Sequence, residues 1–193
     1  MMKYMDPFNS RFNAVDLKLE PEGDLITRHL SDMDSMYYDR EAADELLEED
    51  PLIYRYYNVE VPEEKGHLAH CVSMVFPGDV GGEYFMTKGH FHEVEDTAEI
   101  YYTIQGRGKM LMQTQPPESR VETVDMRPGN ISYVPPYWAH RTINTGVQPL
   151  VFLAVYPGEA GHDYGIIEEK GFKKILVEED GEPVLQDNPE YPE

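Results

Sequence analysis

From Leu52 onward the chain is written in short runs rich in Tyr, Val, Ile and Phe, cut by Pro-Gly, Gly-Gly, Gly-Arg-Gly and Pro-Pro. Runs of that length cannot stand alone in water, and a series of them separated by turn residues closes into a β-sandwich or barrel. Strands are predicted at residues 52–60, 69–76, 84–92, 98–104, 109–113, 121–125, 131–134, 140–144 and 149–156. A last hairpin runs from Lys173 to Val177 and from Pro183 to Gln186 around Glu179-Asp180-Gly181-Glu182, and the tail from Asn188 to Glu193 reads as frayed. Upstream, Val15, Leu17 and Leu19 alternate with polar residues before Pro21-Glu22-Gly23-Asp24 and Leu25, the pattern of a strand, a turn and a returning strand. The Ala-, Leu- and Glu-rich stretch 39–49 predicts a helix that Asp39 caps and Pro51 stops. The expected class is therefore all-β with a short N-terminal hairpin and one or two helices. The 193 residues suit one domain, with an extension over about 1–50, a barrel over about 51–158 and a C-terminal segment over about 159–193.

Acidic residues outnumber basic ones 37 to 16, and the resulting formal charge of -21 repels nucleic acid and anionic membranes. Neither is expected as a partner. An anionic substrate would meet the same field, so it would need dipoles, hydroxyls and a metal ion to hold it. Cys71 is the only cysteine, which excludes an internal disulfide and a cysteine cage for zinc, and it reads as a small packing residue. No apolar run approaches the roughly 20 residues of a membrane span. Met1 to Phe12 lacks the pattern of a secretory signal, so a cytoplasmic protein is expected.

The chemistry gathers in Thr87-Lys88-Gly89-His90-Phe91-His92, followed after six residues by Glu99-Ile100-Tyr101. Side chains alternate along a strand, so His90 and His92 would project from one face and grip one ion while Phe91 points away. Glu99 adds a carboxylate, and Tyr101 shares its face. Two imidazoles and a carboxylate suit Fe(II), Ni, Zn or Mn and leave coordination positions for a substrate. Glu93, Glu95 and Asp96 are alternative carboxylates in the connecting loop, and His140 is a fourth candidate ligand. His29, His67 and His70 read as structural residues, and Gly106-Arg107-Gly108 reads as a turn, since no helix follows it.

These residues resemble the two cupin motifs. His90, His92, Glu99 and Gly106 match the first, and Gly129, Pro135, His140 and Asn144 match the spacing of the second. Tyr137 and Tyr84 stand where the motifs usually carry Gly. The six-residue gap before Glu99, together with Thr87 to His92, Val134 to Thr142 and Ala160-Gly161-His162-Asp163-Tyr164-Gly165, is similar to the cupin-type phosphoglucose isomerases known from archaea. That resemblance implies a cupin, or double-stranded β-helix, barrel that interconverts glucose 6-phosphate and fructose 6-phosphate. It implies one divalent ion per subunit, Fe2+ foremost with Ni2+, Zn2+ or Mn2+ as alternatives, held by His90, His92, Glu99 and His140.

Moving a proton between adjacent carbons of the sugar requires a carrier, and Glu99 is the candidate, with Tyr101 to orient it. A metal-assisted hydride shift, with Glu99 only orienting hydroxyls, fits the same residues. By family position Tyr54, Ser73, Thr87, the backbone at Gly89 and Tyr156 hold the phosphate and sugar, and His162 lies near the ring or its opened chain. Tyr56 or Tyr57 is an alternative to Tyr54, and Ser73 stands where relatives have Thr. The competing functions are an Fe(II) cupin dioxygenase and a non-catalytic sugar-phosphate-binding cupin. A homodimer is expected, with the tyrosine-rich strand near 54–57 supplying an apolar face.

Overall fold

The computed structural model describes residues 5–192 except Pro116 and Glu118; residues 1–4 of the stretch read for a signal sequence, and Glu193 of the tail, lie outside the described residues. In chain order the strands are β1 (Arg11–Asn13), β2 (Lys18–Glu20), β3 (Asp24–His29), β4 (Leu52–Val59), β5 (Leu68–Val75), β6 (Asp79–Val80), β7 (Glu83–Tyr84), β8 (Glu99–Gln105), β9 (Gly108–Thr114), β10 (Val121–Met126), β11 (Ile131–Val134), β12 (Trp138–Asn144), β13 (Leu150–Pro157), β14 (Lys174–Glu179) and β15 (Glu182–Asp187). Two short helices, α1 (Arg40–Leu46) and α2 (Gly165–Lys170), flank the strands of the barrel.

A six-stranded sheet, ordered β11-β8-β13-β5-β4-β3, faces a three-stranded sheet, β10-β9-β12, and every pairing is antiparallel. Tyr101, Phe152 and Ala154 from the first sheet share one core with Met110, Met112, Ala139 and Ile143 from the second. This is the all-β cupin barrel. β8 shows why the sequence folds this way: Glu99, Tyr101 and Thr103 are buried while Ile100 and Tyr102 are exposed, a strict period of two. Asn144 closes the next corner, its Nδ2 donating to Val75 O at 2.8 Å and Gln148 O at 2.9 Å.

Asp39 caps α1 as expected, its Oδ1 accepting from Ala42 N at 3.0 Å. The last hairpin pairs Lys174 with Asp187 through Glu179 with Glu182. The tail is held further than expected, because Asn188 N donates to Lys173 O and its side chain to Phe172 O. The N-terminal hairpin differs from its expected register: β2 pairs back onto β1, Phe12 opposite Leu19, whereas β3 crosses to pair with β4. Leu19 needs cover and finds it on the outer face of the six-stranded sheet, against Tyr57, Val72 and Met74. That tertiary contact outweighs the local turn. No helix among the described residues is long and apolar enough to cross a membrane.

Candidate metal centre and active site

Residues 85–92 run beside β12 outside the regular ladders, bridged to it at Met86 to Ile143 and His90 to His140, with Thr87 N donating to Thr142 O at 2.9 Å and Phe91 bridging Asp163 beyond the sheets. The strand expected over 84–92 is thus corrected to the two residues of β7 and an irregular segment. Gly89 is the reason. Its φ of 77° leaves the extended region, and a Cβ there would sit 2.8 Å from the Phe172 ring and 3.1 Å from His140 O. His90 and His92 converge all the same, because His90 N bonds His140 O at 3.3 Å and His140 N bonds His90 O at 3.1 Å, which brings the rings of His90 and His140 to 4.6 Å.

One ligand atom from each of His90, His92, Glu99 and His140 lies within 4.8 Å of the others. Glu99 and His140 are inward positions of β8 and β12. Glu99 Oε2 is 3.1 Å from His92 Nε2 and 3.0 Å from His140 Nε2. Such separations are what two ligands subtend at right angles about an ion with bonds of about 2.1 Å. The proton positions argue the same way. Thr97 Oγ1 gives its proton to Val94 O at 2.6 Å, so at 2.8 Å from His92 Nδ1 it must accept, which leaves His92 Nε2 with a bare lone pair. A bare nitrogen facing a carboxylate oxygen repels it unless a cation lies between. The Nε2 atoms of His90 and His140 are buried with no aligned hydrogen-bond partner, although His140 Nε2 is within ion-pair distance of Glu99. We take the misalignment as meaningful: these lone pairs point at a common centre rather than at one another. The donor set fits a divalent ion.

Burial opposes the charge on Glu99, but protons carried by the imidazoles of His140 and His92, whose place a bound cation would take, outweigh it and hold the carboxyl well below its usual range. Burial, reinforced by its imidazole neighbours His140 and His162, pushes His90 well below the ordinary histidine value. Neutral histidine and ionised carboxylate are the forms that bind metal. Glu93, Glu95 and Asp96 are exposed on the loop before Glu99 and stand outside the cluster. His29 hydrogen-bonds Asp50 O, His70 stacks on Phe8 and His67 lies by Glu64, so none of the three joins it.

Above the cluster opens a cavity of ≈ 950 Å³, solvent at its mouth included. Tyr54, Ser73, Thr87, Gly89, Tyr101, Tyr156 and His162 all line it, with His90, Glu99 and His140 at its floor, while His92 lies behind Glu99. The register of β4 separates the tyrosines: Tyr54 and Tyr56 face the cavity and Tyr57 the opposite side.

A family model described as Glucose-6-phosphate isomerase (GPI) matches residues 27–193. This chain belongs to that family. It is 50% identical over 196 residues to glucose-6-phosphate isomerase of Thermococcus kodakarensis, covering 100% of each chain. It is 52% identical to the Pyrococcus furiosus protein of the same name, covering 97% of this chain and 98% of that one.

For a member of this family, two departures from the motifs have structural accounts. Tyr137, where Gly is usual, keeps the glycine-like backbone with φ 70°, anchored by its N–H on Glu95 O at 2.8 Å. A non-glycine residue there stores roughly 1–2 kcal/mol. The six-residue gap before Glu99 carries Thr97, the residue that orients His92. Sequence reasoning missed Thr97, and the capping-like Thr in an acidic loop was its only signal. It also missed Lys88 and Tyr164 at the cavity wall, and the buried residues Glu83 and Arg141. Nothing in a strand pattern separates a buried Arg from an exposed one. The expectation that β4 supplies an apolar dimer face is corrected, since Tyr54 lines the cavity and Tyr57 is covered by the N-terminal hairpin.

Proposed function

We propose that this protein interconverts glucose 6-phosphate and fructose 6-phosphate in the cytoplasm, with one divalent ion per subunit, Fe2+ foremost, held by His90, His92, Glu99 and His140. The observation that carries the reading is a buried carboxylate, Glu99, fixed between imidazoles at the floor of a cavity to which Tyr54, Ser73, Thr87, Tyr101 and Tyr156 bring hydroxyls. When bound, the ion supplies a positive centre for the two sugar oxygens whose charge changes during the reaction. Glu99 carries the proton between C1 and C2. Tyr101, whose phenol is kept protonated by burial and by the neighbouring Glu99 charge, donates toward that carboxylate or a sugar hydroxyl. His162, its ring 4.5 Å from that of His90 and held neutral mainly by burial, sits beside the opened chain.

Thr87 Oγ1 accepts from Thr142 N at 3.0 Å and lies 3.4 Å from the Thr142 hydroxyl, which leaves its own proton for the substrate. With Ser73, Tyr54, Tyr156 and the Gly89 amide it forms the phosphate and sugar side of the site. The experiment is a coupled assay of fructose 6-phosphate to glucose 6-phosphate on metal-stripped protein, each divalent ion being added back in turn. Turnover restored by at least one ion is expected; no turnover with any ion sinks the isomerase reading.

A homodimer is part of the same proposal, through a different face from the tyrosine-rich strand. On the outer side of the sheet Ile131 pairs opposite Tyr102 and Tyr133 opposite Ile100, and all four are exposed at the edge strand β11 and its neighbour β8. Sedimentation should give twice the 22.3 kDa chain mass, and Tyr133→Glu should halve it. A wild-type species at one chain mass removes the dimer.

A further inference from the structure

Arg141 is 3% exposed, and among the described residues no carboxylate lies within ion-pair distance of it. Its guanidinium stacks 4.4 Å over Phe172, one amino group reaches Met86 Sδ at 2.9 Å, and the other donates to Lys88 O at 2.6 Å. Glu83, also buried, shares its field, but a Glu83 oxygen is engaged by Tyr38 N at 3.0 Å. A charge taken from water without a paired partner costs several kcal/mol, and packing alone is served better by an apolar residue of the same size. The chain has only 16 basic residues, so a buried one behind an anion cavity calls for a reason.

The short bond to Lys88 O supplies it. The Lys88 carbonyl and the Gly89 N–H belong to one peptide group, and in a trans peptide the two point in opposite directions. Gly89 lines the cavity, and its N–H has no acceptor among the described residues. A cation on the carbonyl oxygen fixes the plane of that peptide and strengthens its N–H as a donor. Phe172, Arg141 Cβ and His140 O fill the space that a Cβ at Gly89 would need, so the loop is packed on that side as well.

We propose that Arg141 is a positioning residue: it clamps the peptide between Lys88 and Gly89 from behind so that the Gly89 N–H is presented to the phosphate of the substrate, without touching the substrate itself. This rests on the isomerase reading and on the Thr87 side of the cavity being the phosphate end. The test compares metal-loaded wild type with Arg141→Met, which matches the side chain in bulk but carries no charge or donor. KM for fructose 6-phosphate and Ki for inorganic phosphate as a competitive inhibitor should both rise about ten-fold or more, the worth of one charge-assisted hydrogen bond. Metal content should stay at wild-type level and kcat should change less than about three-fold, because binding is lost equally in ground and transition states. Arg141→Lys, which keeps the charge but loses the planar fork, should fall between the two. If Arg141→Met does not fold, Arg141→Gln is read by the same criteria. A wild-type Ki for phosphate in a folded, metal-loaded neutral variant overturns the inference, as does loss of metal in step with activity, which would make Arg141 a support of His140 instead. Absence of turnover or of phosphate competition in the wild type would instead strike the isomerase reading, so the two failures are distinct.

Discussion

On its inner face the six-stranded sheet presents Tyr54, Ser73, Glu99, Tyr101 and Tyr156 to the cavity; on its outer face, displaced along the same strands, Tyr57, Val72, Met74 and Val151 lie sealed under Leu19 and its hairpin. Both of these sets of side chains are largely shielded from bulk water. The outer one is apolar and stabilises the fold through area removed from water. The inner one holds an ionised carboxylate, imidazole nitrogens without partners and hydroxyls with protons to spare, groups that a fold selected for stability alone would not bury. Tyr54 and Tyr57 make the contrast at the level of single residues: the same side chain, three positions apart on β4, lines a binding cavity in one case and fills a core in the other. The lesson is that the main core shares the inner face with the site, whereas the small apolar cluster under the N-terminal hairpin stands on the other side of the sheet and can be perturbed with little effect on the site.

The sharpest way to break that separation is to remove a ligand. His90→Ala, His92→Ala and His140→Ala should each lose metal and essentially all turnover together, measured by metal analysis beside the coupled assay, since no neighbouring group replaces the imidazole. Full metal with normal turnover removes that residue from the ligand set. Glu99→Gln should follow, lowering kcat by about 10² to 10⁴ while three histidines retain much of the metal. In heavy water the wild type should place deuterium on C1 or C2. Complete absence of deuterium, with substantial turnover in Glu99→Gln, would leave Glu99 as a ligand only.

On the other face, Met74→Ala should cost about 2–5 kcal/mol of stability, because Met74 is fully buried, yet leave kcat/KM near the wild-type value. A matching fall in activity at a temperature where the variant is folded would show that the faces are coupled. Comparable in size is a pH effect at Glu83, whose carboxyl burial pushes up to about 7 from 4.5. A raised acid binds its proton more tightly when folded, so its contribution is complete below about pH 4.5 and is lost as pH rises through about 7, a change on the order of 3 kcal/mol. Glu83→Gln should flatten that part of a plot of Tm against pH between about 4.5 and 7; an unaltered slope assigns it to other groups. The smallest effect is expected at Tyr137, where Tyr137→Gly relieves the left-handed backbone but loosens the unfolded chain, so stability should move by less than about 1 kcal/mol in a denaturant titration.

Much of the barrel and the metal cluster is legible in the sequence, because both rest on short-range rules. Period-two burial marks Glu99 and Tyr101 as partners on one face of β8, turn residues mark the strand ends, and two histidines one residue apart beside a later Glu and His have few other uses. The structure brings those four ligands together, though through an irregular segment broken at Gly89 rather than the strand that alternation suggested. What only the tertiary structure decided lies in contacts between residues far apart in the chain. The N-terminal hairpin took its register from the apolar face that Leu19 had to cover, not from its own turn residues. Arg141 became a buried cation because the 87–90 loop and Phe172 close over it. Local pattern determines which way a side chain points along its own strand; what it meets there depends on the rest of the fold, since burial and hydrogen-bond partnership are properties of the surroundings and not of the residue.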